Sequence, residues 1–159
     1  MSNSRLNTLI RKNKGKKLLD KYMNMFYTAG FREDELCYVE LEKADELVSC
    51  VEETFQDINQ QVEILPSEST YQDSKLLMSI LENFNGSHCY IFSDDFYLCG
   101  MYQTDIEVAV KHCLNVARLG YSNTCFILDQ NFRYSFTINY YVEGEASLRN
   151  KFDIHLKLV

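Results

Sequence analysis

The chain has 159 residues, a formal net charge of −7 and 46% hydrophobic residues; that length suits one domain, and one proline with six glycines excludes collagen-like and low-complexity organisation. The acidic balance disfavours direct contact with nucleic acid and favours a basic partner. No apolar run reaches the ~18 residues of a membrane span, and residues 1–22 lack the apolar core of an export signal, so the expectation is a cytoplasmic protein with no membrane partner.

Residues 1–22 are basic. Arg5, Arg11, Lys12, Lys14, Lys16, Lys17 and Lys21 face only Asp20, while the remaining 137 residues carry a net −13. Leu18, Leu19, Tyr22, Met23, Phe26 and Tyr27 recur at helical spacing, and Gly30 stands where that helix should stop. A shorter turn or two through Leu6, Leu9 and Ile10 precedes it. The basic segment, 1–28, reads as a helical portion with a solvated face, in front of a mixed α/β remainder. The whole of 1–159 is read as one domain.

Cys37–Leu41 is a short β-like run. Leu47, Val48, Val51, Phe55 and Ile58 then form one stripe of a helix over about 44–60. Val62, Ile64 and Leu65 suggest a brief strand. Leu76, Leu77, Ile80, Leu81 and Phe84 predict another helix, with Ser69 and Gln72 at capping-box spacing and Gly86 after it.

The second half carries two strands, His88–Phe92 and Phe96–Tyr102, around a turn at Ser93-Asp94-Asp95. Thr104 and Glu107 have capping-box spacing before a helix that buries Ile106, Val110, Cys113, Leu114 and Ala117 and ends at Gly120. Cys125–Leu128 is the next strand, and Asp129-Gln130-Asn131 a turn. From Arg133 to Val142 the alternation is strict, with Tyr134, Phe136, Ile138, Tyr140 and Val142 on one face. Phe152, Ile154, Leu156 and Leu158 repeat it. Period two over that length predicts half-buried antiparallel strands. The fold class is therefore α+β, with helices packed on a mainly antiparallel sheet supplied largely by the C-terminal half.

Motifs of catalysis are missing. Neither G-x-G-x-x-G, a P-loop, H-E-x-x-H nor G-x-S-x-G occurs. No two of Cys37, Cys50, Cys89, Cys99, Cys113 and Cys125 lie within four residues of each other, so zinc-type spacing is absent. Those thiols sit in apolar runs and read as reduced core residues. On a helix His112 and Cys113 diverge by about 100°. Asp94-Asp95 reads as turn chemistry rather than an acid–base pair, and His155 as a surface residue. No metal or cofactor is expected, and no catalytic residue.

The strongest local signal is acidic. Residues 32–57 carry a net −8, and Glu33, Asp34, Glu35, Glu42, Asp45, Glu46, Glu52, Glu53 and Asp57 form the candidate partner-binding surface. Such a surface steers a basic protein and rejects wrong partners. Eleven tyrosines and ten phenylalanines add interface-forming side chains.

The layout of Thr104–Val142 resembles that of contact-dependent growth-inhibition immunity proteins of bacteria. It runs as a capped helix, a glycine stop, the segment Thr124-Cys125-Phe126-Ile127-Leu128-Asp129 and an aromatic strand Tyr134-Ser135-Phe136-Thr137-Ile138. The likeness covers about a quarter of the chain and carries over no site residue. It implies a non-enzymatic, cytoplasmic immunity protein that neutralises a toxin domain, a nuclease by expectation, through stoichiometric occlusion, as a monomer or weak homodimer. Two alternatives stand beside it: a small enzyme using a fold-assembled Cys–His pair, and an adaptor or phage interaction protein that uses the basic N-terminal helix.

Overall fold

The computed structural model describes residues 2–55, 61–64, 79, 86–143 and 149–158. The fold is α+β. In chain order the elements are α1 (Ser2–Lys16), α2 (Leu19–Ala29), a 3-10 turn (Glu33–Glu35), β1 (Cys37–Val39), α3 (Leu41–Phe55), β2 (Gln61–Ile64), β3 (His88–Phe92), α4 (Phe96–Cys99), β4 (Met101–Asp105), α5 (Ile106–Leu119), β5 (Thr124–Asp129), β6 (Tyr134–Glu143) and β7 (Arg149–Leu158). The helix expected around Leu76–Phe84 lies outside the described residues.

The strands form one sheet in the order β1-β4-β3-β5-β6-β7-β2, antiparallel at every pairing. The C-terminal half supplies its centre, and the N-terminal half both edges. Registers such as Ile91↔Ile127, Ile127↔Phe136 and Ile138↔Ile154 align apolar side chains across four strands. These residues, with Cys89, Tyr102 and Cys125, pack under α2 and α5, where Phe26, Val110 and Ala117 are buried. On the opposite face Tyr90, Phe92, Met101 and Leu128 pack beneath α3 through Ala44 and Leu47. The centre is thus covered twice, which is why β3 and β5 read as continuous apolar runs. On β6, Ser135, Thr137 and Asn139 are only half-buried, and there the sequence alternates.

The end of α2 shows how local sequence fixes geometry. Gly30 takes φ 117°, a left-handed conformation that costs glycine no Cβ clash. Gly30 N–H donates to the Tyr27 carbonyl and Phe31 N–H to the Phe26 carbonyl, which makes a Schellman motif. The Phe26 and Phe31 rings close it at 5.7 Å. From within α2, the Tyr22 hydroxyl accepts a hydrogen bond from Ser93 N–H at 3.2 Å, tying the helix to the end of β3.

Several expectations are corrected. Residues 2–16 form a full helix rather than a turn or two, and α3 starts at Leu41, earlier than expected; the expected continuation over 56–60 lies outside the described residues. Phe96–Cys99 is a helical turn, not the start of a strand. Cys99 and Gly100 N–H groups donate to the carbonyls of Asp95 and Phe96, and Gly100, at φ 80°, reverses the chain into β4. The Thr104–Glu107 capping box does not form. Strand β4 runs through Asp105 to pair with His88, so the helix starts one residue later and Thr104 stays in the strand, its buried hydroxyl without a partner. Asp105 becomes the N-cap residue without a capping side-chain bond, because its carboxylate meets His88 Nδ1 at 2.6 Å.

Candidate functional site

The acidic segment folds around one edge of the sheet. Before β1, the 3-10 turn presents Glu33 and Asp34 to solvent and Glu35 half-buried. Arg32 organises it: its backbone N–H donates to Glu35 Oε2 at 2.9 Å, and its Nε to Asp34 Oδ1 at 3.0 Å. After β1, helix α3 buries Leu41, Ala44 and Leu47. That spacing turns Glu42, Lys43 and Glu46 outward, and all three are exposed.

Among the described residues strand β1 is paired on one side only, to β4, and both Cys37 and Tyr38 are exposed. Three cavities border it. One of about 310 Å³ has Leu19, Leu41 and Leu98 in its lining together with Tyr38, Glu40 and Glu42. A second of about 450 Å³ adds Glu46 to Tyr38, Glu40 and Glu42. The third, about 540 Å³, is lined by Arg32, Asp34, Glu35, His88 and Asp105 among others. Glu40 belongs to the acidic segment but not to the nine candidate residues, and it lines two of these cavities.

Of the nine, Glu33, Asp34, Glu35, Glu42, Asp45 and Glu46 come together on this side. Asp57 and the side chains of Glu52 and Glu53 lie outside what the structure describes. Most of the six already have cationic partners within the chain. Arg11 grips Asp45 with two hydrogen bonds, Nη1 to Oδ2 at 2.8 Å and Nη2 to Oδ1 at 2.9 Å. Lys12 Nζ lies 2.5 Å from Glu42, and Lys43 Nζ 3.0 Å from Glu46. The hydrogen bond from Lys12 holds the Glu42 carboxyl below the usual range, and the same contact raises Lys12. Exposed pairs of this kind are screened by solvent and contribute little, so an incoming cation can displace them. The Arg11–Asp45 pair is firmer: Arg11 is half-buried, donates also to the Tyr97 carbonyl, and stacks 3.7 Å over the Tyr97 ring.

Sequence reasoning missed this internal neutralisation. The signal was there: a cationic helix followed, one short helix later, by an acidic one. Opposite charges so close along a chain can satisfy each other before they meet a partner.

The cysteines divide four to two. Cys89, Cys99, Cys113 and Cys125 are buried and unpaired, as expected of core thiols, whereas Cys37 and Cys50 are exposed and free, which corrects their assignment to the core. Burial pushes Cys99 up to about 11 and Cys113 up to about 12, and raises Cys89 and Cys125 well above the ordinary thiol range. Buried neutral thiols are poor nucleophiles. Native-state titration with an aromatic disulfide reagent should therefore modify Cys37 and Cys50 quickly and the other four only on unfolding. Rapid native modification of any of the four, read by peptide mapping, would contradict their burial.

His112 packs against Phe31, the rings 4.9 Å apart, and burial lowers its pKa. Asp94 and Asp95 form the turn before α4, where Phe96 N–H donates to the Ser93 carbonyl. Among the described residues no group of three or more His, Cys, Asp or Glu side chains could hold a metal ion. Comparison with protein-family models, curated proteins and solved structures finds no match to this chain.

Proposed function

We propose that this protein is a stoichiometric protein-binding inhibitor of the immunity type, and that its partner is a basic toxin domain, a nuclease by preference. The observation that carries the reading is the run of exposed carboxylates around β1: Glu33 and Asp34 before the strand, Glu40, Glu42 and Glu46 after it, with cavities on its flanks to receive side chains. A basic active-site cleft built for phosphates matches this surface in charge. Occlusion of that cleft requires binding alone, without turnover. The weak surface pairs at Glu42 and Glu46 make exchange of an internal lysine for the partner's cations nearly neutral in energy. Encounter is then governed by long-range attraction.

The test has two stages. The tagged chain should capture, from lysate of the strain that encodes it, a basic domain in equimolar amount, and that domain should arrest growth of cells lacking the chain and lose its toxicity when the two are co-expressed. The triple variant Glu33→Lys, Glu40→Lys, Glu46→Lys should then associate about 10–100-fold more slowly at low salt while keeping the wild-type circular dichroism and melting temperature. Equal association rates for variant and wild type would remove this surface from the mechanism. A captured partner without toxicity would remove the inhibitor reading itself.

A further inference from the structure

Helix α1 is mounted with its apolar stripe outward. At 100° per residue, Thr8, Arg11, Lys12 and Gly15 share one arc of about 100°, and Leu6, Leu9 and Ile10 share an arc nearly opposite, with the exposed Asn13 among them. The first arc holds the helix to the body. Arg11 grips Asp45 and the Tyr97 carbonyl, and Lys12 pairs with Glu42. Gly15 is buried, so close to Leu98 that a Cβ there would strike the Leu98 carbonyl. The second arc faces water: Leu6 is 56% exposed, Leu9 52% and Ile10 44%. An amphipathic helix normally does the reverse, burying its aliphatic stripe and leaving its charges in solvent. Exposed Lys16 flanks the stripe beside Leu9, exposed Lys14 flanks it beside Ile10, and Lys17 follows in the turn.

We infer that α1 is a peripheral membrane contact, which lays Leu6, Leu9 and Ile10 into an anionic bilayer surface with Lys14, Lys16 and Lys17 at the level of the lipid phosphates. This surface is separate from the acidic one and does not depend on the inhibitor reading. Aliphatic side chains on one face with lysines alongside are the composition of an interfacial helix. Protein hot spots instead favour Trp, Tyr and Arg, and lysine is depleted from protein interfaces. A second copy is a poor occupant, because facing two α1 stripes brings both sets of lysines together. Three side chains also fall far short of the roughly 1,200 Å² that a stable interface buries.

The acidic remainder of the chain does not cancel the attraction. Of its carboxylates near α1, Asp45 and Glu42 are tied to Arg11 and Lys12, and Glu40 shares a cavity with Lys12 and Lys16. They lie on the inner side of a helix about 10 Å thick, beyond the screening length of about 8 Å at physiological salt. Among the described residues no helix is long and apolar enough to cross a membrane, so the contact is with the surface. The stripe and the lysines act together, apolar burial adding to attraction by anionic lipid.

The experiment is co-sedimentation of the full chain with vesicles of phosphatidylcholine containing phosphatidylglycerol at about one lipid in three, and with pure phosphatidylcholine, at about 0.1 M and 0.5 M salt. Binding is expected on the anionic vesicles only, and it should weaken at the higher salt. The exposed-site variants Leu6→Ser/Leu9→Ser/Ile10→Ser and Lys14→Glu/Lys16→Glu/Lys17→Glu should each reduce the bound fraction about tenfold or more, with unchanged melting curves. The chain contains no tryptophan, so Leu9→Trp gives a single reporter whose emission should shift to the blue on anionic vesicles. The inference is overturned if the anionic vesicles leave the chain in the supernatant, or if the serine variant binds as well as wild type. It is equally overturned if the Leu9→Trp emission stays that of a water-exposed indole.

Discussion

Replacing Phe26 with alanine should remove about 3–5 kcal/mol of stability, the largest loss expected from any single change discussed here. Phe26 is fully buried. Its ring meets Tyr102 edge-on at 4.8 Å, Tyr22 at 5.3 Å and Phe31 at 5.7 Å. These three come from β4, from one turn earlier in α2, and from the chain just after the Schellman corner. Each is held elsewhere: Tyr22 by the Ser93 N–H, Tyr102 by the sheet register, and Phe31 by the hydrogen bond to the Phe26 carbonyl. The walls of the hole left by alanine therefore cannot close in, and a hole that cannot collapse costs most. For a protein with a typical total of 5–15 kcal/mol, such a loss places the variant near the edge of folding. Urea denaturation monitored by circular dichroism would measure it, with Leu119→Ala as comparison. Leu119 is 46% exposed, and its truncation should change stability by less than about 1 kcal/mol. A Phe26→Ala variant as stable as the Leu119 control would mean that the α2–sheet contact contributes little.

The second large effect is expected at Asp129, which closes β5. Its carboxylate is fully buried and accepts four hydrogen bonds: from the Asn131 and Arg133 backbone N–H groups at 3.2 and 3.1 Å, and from Arg133 Nε and Nη2 at 2.7 and 2.9 Å. Together they fix the turn into β6, where Phe132 sits at φ 56°, a conformation that is costly for a bulky residue. Asp129→Ala should cost about 2–4 kcal/mol, since each bond to a charged group contributes about 1.5–3 kcal/mol while the partly exposed Arg133 regains water. Burial pushes the Asp129 carboxyl upward, but the side-chain and backbone hydrogen bonds from Arg133 outweigh it and hold it below its ordinary value. A carboxylate lowered on folding stabilises fully above the unfolded-state value near 3.9 and loses that contribution as pH falls through the folded value. The stability gap between wild type and Asp129→Ala should thus be constant from pH 7 down to about 5 and narrow below about 3.9. A gap that persists undiminished in acid would assign the effect to packing rather than to the charge.

Much of the fold could be read from residue patterns, and the reason differs by element. Strand β6 was legible because its side chains alternate between buried and half-buried. Strands β3 and β5 were legible as apolar runs, and that continuity itself reports cover on both faces. The end of α2 at Gly30 follows from local chemistry, whereas its start at Leu18 has no capping side chain. Phe96–Cys99 could not be read, because four apolar residues carry neither period; only the carbonyls of Asp95 and Phe96 and the φ of Gly100 decide for a turn of helix. Helix α1 was underestimated for a related reason. Its packed face is made of Arg11, Lys12 and Gly15, which no search for a buried aliphatic stripe will find. In the candidate site, the outward direction of Glu46 was legible from the Leu47, Val48 and Val51 stripe, whereas that of Glu42 was not, because Leu41 read as the end of a strand rather than as the first buried residue of α3. The ion pairs that engage them depend on how α1 lies across α3, which periodicity does not encode.

The strand order has a consequence for how the chain is made. Both outer strands come early in the sequence and pair with strands that come late: β1 with β4, and β2 with β7 through Gln61↔Lys157. A ribosome adding about 5–20 residues per second completes β2 many seconds before its partner exists. The run β5–β6–β7 closes through short connections and needs no such wait. The β1 margin can close once β4 has been made, before any of β5–β7 exists, whereas the β2 margin must wait for the last strand of the sheet. Helices α1 and α3 keep a different schedule. Their link from Arg11 to Asp45 spans only 34 residues and needs no strand, so the nascent chain can bring its opposite charges together while most of the sheet is still to be synthesised.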